Sequence, residues 1–206
     1  MPDDLEETAS ITKLLDMNGR LVCGDVWGGI RIYEWAQSLE SNNQLSLSRR
    51  QCALLQFRGF SIACMEQVEE HLLAVSIQPE QDSRILPSAT SLHVTSPRGI
   101  YIVDTKEATI KAVLDAHSDT VQCICSLPDG GILTAGGKMD ATVRVWDSVA
   151  ATINDTDAGD EVKVFKEAKI LKQPGYVFDL KVLPDSNSSG IFAIVATRCH
   201  VIKIVI

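Results

Sequence analysis

The sequence predicts an all-β protein made of successive antiparallel meanders, and three observations predict it. Apolar residues come in short runs alternating with polar ones, the period of a half-buried strand and not of a helix. The runs are separated by residues with turn chemistry, as at Asn18-Gly19, Pro128-Asp129-Gly130-Gly131 and Gly136-Gly137. Proline presets φ, aspartate bonds the backbone two residues on, and glycine supplies positive φ. The run-and-turn unit also recurs along the 206 residues, the mark of a repeat architecture.

The clearest unit is Ala116 to Asp147, AHSDTVQCICSLPDGGILTAGGKMDATVRVWD. Val121 to Leu127 alternates and ends at the Pro128 turn. Ile132 to Ala135 is a second strand, closed by Gly136-Gly137, and Thr142 to Trp146 alternates again. This is a three-stranded antiparallel meander. Its landmarks are Ala116-His117 at the opening, Pro128-Asp129-Gly130 in the middle, Gly136-Gly137 with Asp140 at the second turn, and Trp146-Asp147 at the close. With these landmarks the segment resembles one repeat of the WD-repeat β-propeller family. The resemblance implies blades of four strands, a to d from the axis outward, each taking about 40–45 residues.

On that frame, residues 1–9 form a polar N-terminal segment and residues 10–206 a partial propeller, with blades at about 10–57, 59–116, 117–166 and 176–206. In the first blade, strand a is Ile11 to Leu15, b is Leu21 to Gly24, c is Ile30 to Trp35 and d is Cys52 to Phe57. Tyr33-Glu34 stands in the place of Trp-Asp. In the second, a is Ser61 to Glu66 and b begins at Leu72 to Ile77. Gln78 to Ala89 is an inserted loop, after which Ser91 to Thr95 resumes strand. Ile100 to Asp104 and Thr109 to Leu114 follow as c and d. The third blade is the clear unit, with a polar loop from Ser148 to Glu161 and an outer strand at Val162 to Phe165. The fourth supplies Phe178 to Leu183, Ile191 to Thr197 and Val201 to Val205, with no candidate for d before Ile206. Family members commonly carry seven or eight blades, so the expectation is about four blades of a larger ring.

Composition narrows the functional classes. Hydrophobic content of 45% and charged content of 22% are ordinary for a globular domain. No apolar run approaches the roughly 18 residues of a membrane span, and the acidic start MPDDLEETAS is no secretory signal. A net charge of −8 argues against bulk attraction to nucleic acid or anionic membrane. The six cysteines, Cys23, Cys52, Cys64, Cys123, Cys125 and Cys199, contain no Cys-x-x-Cys pair. They read as reduced thiols of a cytoplasmic or nuclear protein. Cys123 and Cys125 share a strand face, which suits core packing. Asn154-Asp155-Thr156 and Asn187-Ser188-Ser189 fit the glycosylation pattern by chance.

Catalytic chemistry is not expected. His71, His93 and His200 are isolated, without metal-ligand spacing. Gly136-Gly137-Lys138 fails the Walker spacing, and Glu69-Glu70 reads as a solvated face. No cofactor or metal is expected. The resemblance implies instead a structural hydrogen-bond relay of His117, Thr134, Asp140 and Trp146. The family places its hydroxyl directly before Gly136, where this chain has Ala135, so either the relay is incomplete or Thr134 takes the role one residue earlier through a shifted strand.

Sorting loops by face gives a binding expectation. The b–c and d–a loops share one face and carry Trp27, Arg58, Arg98, Lys138, Met139, Tyr176, Arg198 and His200. The opposite face carries Glu66, Glu69, Glu70, Asp129, Asp155, Asp157, Asp160 and Asp185. Arginine and aromatic residues are the types enriched at binding hot spots. The expected function is therefore a non-catalytic protein–protein interaction module, a scaffold or adaptor. It would present Trp27, Arg58, Arg98, Lys138, Tyr176 and Arg198 to a partner peptide or acidic segment. The alternative is a structural subunit of an obligate assembly, its propeller completed by a partner chain or a second copy.

Overall fold

A computed structural model describes residues 10–39, 45–81, 84–86, 88–152, 161–184, 191–197 and 200–205. Among them every regular element is a strand. The first sheet contains β1 (Ile11–Met17), β2 (Arg20–Asp25), β3 (Gly29–Leu39) and β4 (Leu45–Phe57). Next come β5 (Phe60–Gln67), β6 (Leu72–Pro79), β7 (Thr90–Leu92), β8 (Ile100–Asp104) and β9 (Thr109–Leu114). The third meander is β10 (Val121–Ser126), β11 (Ile132–Gly136), β12 (Thr142–Thr152) and β13 (Glu161–Lys172). The last is β14 (Val177–Pro184), β15 (Ile191–Thr197) and β16 (Val201–Val205). The sheets run β1-β2-β3-β4-β7, β5-β6-β8-β9, β10-β11-β12-β13 and β14-β15-β16.

The burial pattern explains why these residues make these strands. Ile100 to Val103 and the whole of Ile132–Gly136 are buried, because middle strands are covered by a sheet on each side. The outer strand β9 and the edge strand β16 alternate exposed and half-buried residues over most of their length. The first strands of successive sheets lie side by side, β1 by β5, β5 by β10 and β10 by β14. The apolar core therefore sits in three slabs between neighbouring sheets. Met17, Ile30, Phe57, Leu73 and Tyr101 fill the first slab. Ile100, Ile124, Trp146 and Phe165 fill the second, and Leu133, Val143, Val177 and Val195 the third.

The structure departs from the sequence expectation at the insertion. Ser91 to Thr95 does not resume the second meander; instead Thr90–Leu92 adds in parallel to β4, with Leu55 opposite Thr90 and Phe57 opposite Leu92. Three attachments hold it there. Gln56, fully buried, receives the Leu86 amide on its Oε1 at 3.0 Å and donates from Nε2 to the Trp27 carbonyl at 2.9 Å and to the Arg84 carbonyl. Leu86 and Leu92 are themselves buried. The Tyr101 hydroxyl pins the following turn, donating to the Ser96 carbonyl and accepting from the Thr95 and Ser96 amides. The insertion thereby covers a sheet edge that would otherwise expose unpaired backbone.

The outer strands are also longer than expected. β4 begins at Leu45 and β13 extends to Lys172, and β12 runs to Thr152, into the stretch expected as a polar loop from Ser148. In β13 the run Lys166 to Ile170 is exposed throughout and shows no period-2 burial, since an outer strand need bury little.

Candidate functional site

Antiparallel meanders send alternate connections to opposite ends. The links β2–β3, β6–β8, β11–β12 and β15–β16 therefore emerge on one face, together with the inter-sheet links β4–β5, β9–β10 and β13–β14. Two arrangements on this face stand out, a buried polar chain in the third sheet and an open pocket beside it.

The polar chain starts at Trp146, whose indole nitrogen donates to Thr134 Oγ1 at 2.8 Å. His117 Nδ1 faces the ionised Asp140 Oδ1 at 3.2 Å, a group that only accepts, so the neutral ring carries its proton on Nδ1. Its Nε2 then accepts from the Thr134 hydroxyl, 2.7 Å away. The Thr142 hydroxyl also donates to Asp140 Oδ1, as does the Thr142 amide at 3.0 Å. Asp140 Oδ2 accepts from the Ser118 amide at 2.6 Å and from its hydroxyl at 3.1 Å. His117, Thr134, Thr142 and Trp146 are all buried. Gly136 is required here, because a Cβ would come within 2.6 Å of the Asp140 side chain.

The electrostatics follow from these contacts. Burial holds the His117 imidazole below its usual range, against the pull of Asp140, so the ring is neutral near pH 7. Burial alone would raise the Asp140 carboxyl. The Thr142 hydroxyl, the Ser118 amide and His117 outweigh it and bring it down to about 2. The chain is a satisfied set of donors and acceptors, the arrangement that rigidifies a turn. It offers no unpaired base or nucleophile.

The residues expected to bind a partner are only partly gathered. Trp27 lies in the β2–β3 turn, where the Arg84 guanidinium covers its ring at 5.1 Å. Arg58 and Arg98 are exposed in the β4–β5 and β6–β8 links. Lys138 and Tyr176 come together in one open-sided pocket of about 570 Å³, shared with Pro174, Phe178, Thr197 and His200. Arg198 lies outside the described residues, as do Asp155, Asp157, Asp160 and Asp185 of the opposite face. Charge segregates less sharply than expected. The exposed Asp115 and the half-buried Asp119 sit on the loop face. Glu66 is tied up between sheets, accepting from the Ser126 hydroxyl at 2.8 Å and its amide at 3.1 Å.

Several structural residues escape a reading of the sequence. Asp25, fully buried, accepts the Trp27 and Gly29 amides at 2.8 Å each and pairs with Arg31. It does carry a signal, an aspartate after an apolar run and shortly before glycine, the pattern of an Asx turn. Gln56 carries none, because its partners Trp27, Arg84 and Leu86 come from other turns. Thr142 bonds Asp140 two residues earlier, a local aspartate-x-threonine pattern that a reading of the sequence could have found. The thiols of Cys123 and Cys125 reach across to the fourth sheet, donating to the Phe178 carbonyl at 3.4 Å and the Leu180 carbonyl at 2.9 Å. Burial pushes both thiols up to about 12. Cys52 is exposed. Brief alkylation of the native protein near neutral pH is expected to mark Cys52 and to spare Cys123 and Cys125 until unfolding. Peptide mapping that found these two marked as fast as Cys52 would contradict their packing. Among the described residues no group of three or more His, Cys, Asp or Glu is placed to hold a metal ion, and no helix is long and apolar enough to cross a membrane.

The fold of stacked antiparallel sheets, with a His–Thr–Trp–Asp chain in one of them, defines a class, the β-propeller of repeated blades. Residues 108–147 match the WD40 family, described as "WD domain, G-beta repeat", and the described sheets as a whole have the fold of an open β-propeller. It is 34% identical over 47 residues to DENN domain-containing protein 3 of Mus musculus, a match spanning 23% of this chain and 4% of that protein. It is 24% identical over 121 residues to the THO complex subunit 6 homolog of Danio rerio, spanning 59% of this chain and 32% of that one. The matches thus cover a small part of the first relative and about a third of the second. In solved structures, the crystal structure of the computationally designed Ika4 protein shares the fold, with a TM-score of 0.58 at 12% identity over 98% of this chain and 96% of that one. WD-repeat propellers are, as a class, non-catalytic scaffolds for protein–protein interaction.

Proposed function

We propose that this chain is a non-catalytic interaction module whose loop face docks an acidic segment of a partner protein. The observation that carries the reading is the set of exposed cations on that face. Arg58, Arg98 and Lys138 are exposed on connections of three successive sheets, in a chain whose net charge is −8. Arginine binds carboxylates bidentately, and positive potential on one face steers an acidic partner to it. Free thiols at Cys23, Cys52, Cys64, Cys123 and Cys125 accord with a reducing compartment, and we place the protein in the cytoplasm or nucleus.

The test is titration of acidic peptides against the protein and its variants. The double variant Arg58→Ala with Arg98→Ala is expected to weaken binding by about 2–4 kcal/mol if both are hot spots, and less from the rim. Added salt should slow association. A peptide that ignores these changes but is lost on reversing Glu69 and Glu70 docks on the opposite face and refutes the assignment.

A second reading has its own observation. Val201 and Val205, 75% and 68% exposed, stand on the edge strand of the fourth sheet. The relative from Danio rerio is by name a subunit of a complex. Light scattering across a concentration series distinguishes the readings: a persistent monomer favours the peptide-docking module, and an obligate oligomer favours the assembly subunit.

A further inference from the structure

The pocket between the third and fourth sheets names a ligand for the loop face, and its assignment rests on the loop-face proposal. Its lining includes an aromatic pair. Tyr176 and Phe178 meet edge to face, with ring centroids 4.5 Å apart at 85°. Phe178 is 56% exposed, high for an aromatic ring at the start of an inner strand. The pocket's volume of about 570 Å³ is ample for a large side chain. Pro174 adds an apolar wall on which an extended chain can lie. Lys138 also lines the pocket, exposed, with no ion-pair partner among the described residues. No aspartate or glutamate among the described residues lines the pocket, although acidic residues outnumber basic ones 27 to 19 in the chain. Met139, next to Lys138 in the sequence, is 81% exposed.

We infer that this pocket binds one aromatic side chain of an extended acidic peptide, with an adjacent carboxylate of that peptide on Lys138. The aromatic pair offers the guest ring an edge and a face, the geometry that aromatic groups prefer. The ammonium supplies the charge that fixes register. Neither feature suffices alone. An aromatic slot would take any apolar residue, and a lone surface lysine gains little from an exposed ion pair. Together they select a ring flanked by acid.

Fluorescence anisotropy with three labelled peptides tests this. One carries a central Phe among Asp and Glu; in the second that Phe is Ala; in the third the acids are Asn and Gln. The native protein is expected to prefer the first over either other by about tenfold or more. Phe178→Ala should abolish the preference for Phe over Ala and keep that for acid over amide. Lys138→Glu should do the reverse. Phe178 and Lys138 are both exposed, so the variants should keep the native thermal midpoint. Equal binding of all three peptides by the native protein overturns the pocket assignment, and so does a variant that leaves both preferences intact. Loss of acidic-peptide binding in the Arg58/Arg98 double variant alone, with Lys138→Glu and Phe178→Ala silent, refutes the pocket while leaving the loop face standing. Failure of every acidic peptide to bind refutes both.

Discussion

Replacing Asp140 by alanine is expected to lower the unfolding free energy by about 1–3 kcal/mol, more than any change at an exposed position. The carboxylate accepts from His117, from the hydroxyl and amide of Thr142, and from the amide and hydroxyl of Ser118. Removing it leaves the His117 Nδ1 proton and the Thr142 hydroxyl buried without their acceptor, and an unmade buried bond costs more than a made one contributes. Asp140→Asn keeps an acceptor oxygen and should fall between wild type and alanine. A urea midpoint unchanged in Asp140→Ala would show that the polar chain contributes nothing.

The same variant has a pH signature. A carboxyl held near 2 in the fold, against 3.8 as the ordinary value, stabilises fully above 3.8 and loses that contribution as pH falls toward 2. His117 acts in the same direction. Its folded value lies below 6.5, so the fold prefers the neutral ring and loses stability as pH drops below 6.5 and the unfolded chain takes up a proton. Stability measured against pH should therefore fall in two stages on acidification. In Asp140→Ala the stage between 3.8 and about 2 should be smaller. A variant curve parallel to wild type over that range would exclude Asp140 as its source.

The second large effect is expected at Gly28. Its φ is +74°, and a Cβ there would overlap the carbonyl oxygens of Phe57 and Phe60, the latter at 2.5 Å. Backbone cannot yield as a side chain can, because the Phe57 amide donates to the Gly28 carbonyl at 3.0 Å and locks the two turns together. Gly28→Ala should cost about 3 kcal/mol or more, combining a positive-φ penalty with overpacking. Gly19 is the control, with φ +80° and nothing within 4 Å of its would-be Cβ. Gly19→Ala should cost only the conformational part, about 1 kcal/mol. Equal midpoints for the two variants would remove the close contact from the account.

Much of the architecture is legible in the sequence because strand signals are local. Thr109 to Leu114 and Val201 to Val205 can be read to the residue, since alternation and turn chemistry bracket them. The Trp146-Asp147 close and the Pro128 turn mark the third meander for the same reason. β13 reads short because Lys166 to Ile170 are exposed and period-2 contrast fades there, whereas the start of β4, Leu45-Ser46-Leu47-Ser48, alternates and is legible in the sequence.

Pairing between distant segments lies beyond such local signals. Thr90–Leu92 looks like strand wherever it lies, and only Gln56, Leu86 and the free edge of β4 determine that it joins the first sheet. Trp27 looks like a binding aromatic until Arg84, far along the chain, is placed over its ring. Lys138, Tyr176 and Phe178 form one pocket because the third sheet packs on the fourth, which no spacing encodes. The order of amino acids alone specifies most of the strands and their turns, since each is written within a few residues, and the likeness to a WD repeat marks His117, Thr134, Asp140 and Trp146 though not Thr142. Which turns meet, which edge is covered and which cations stay exposed depend on the docking of whole sheets, and that is settled by contacts between residues distant in the chain.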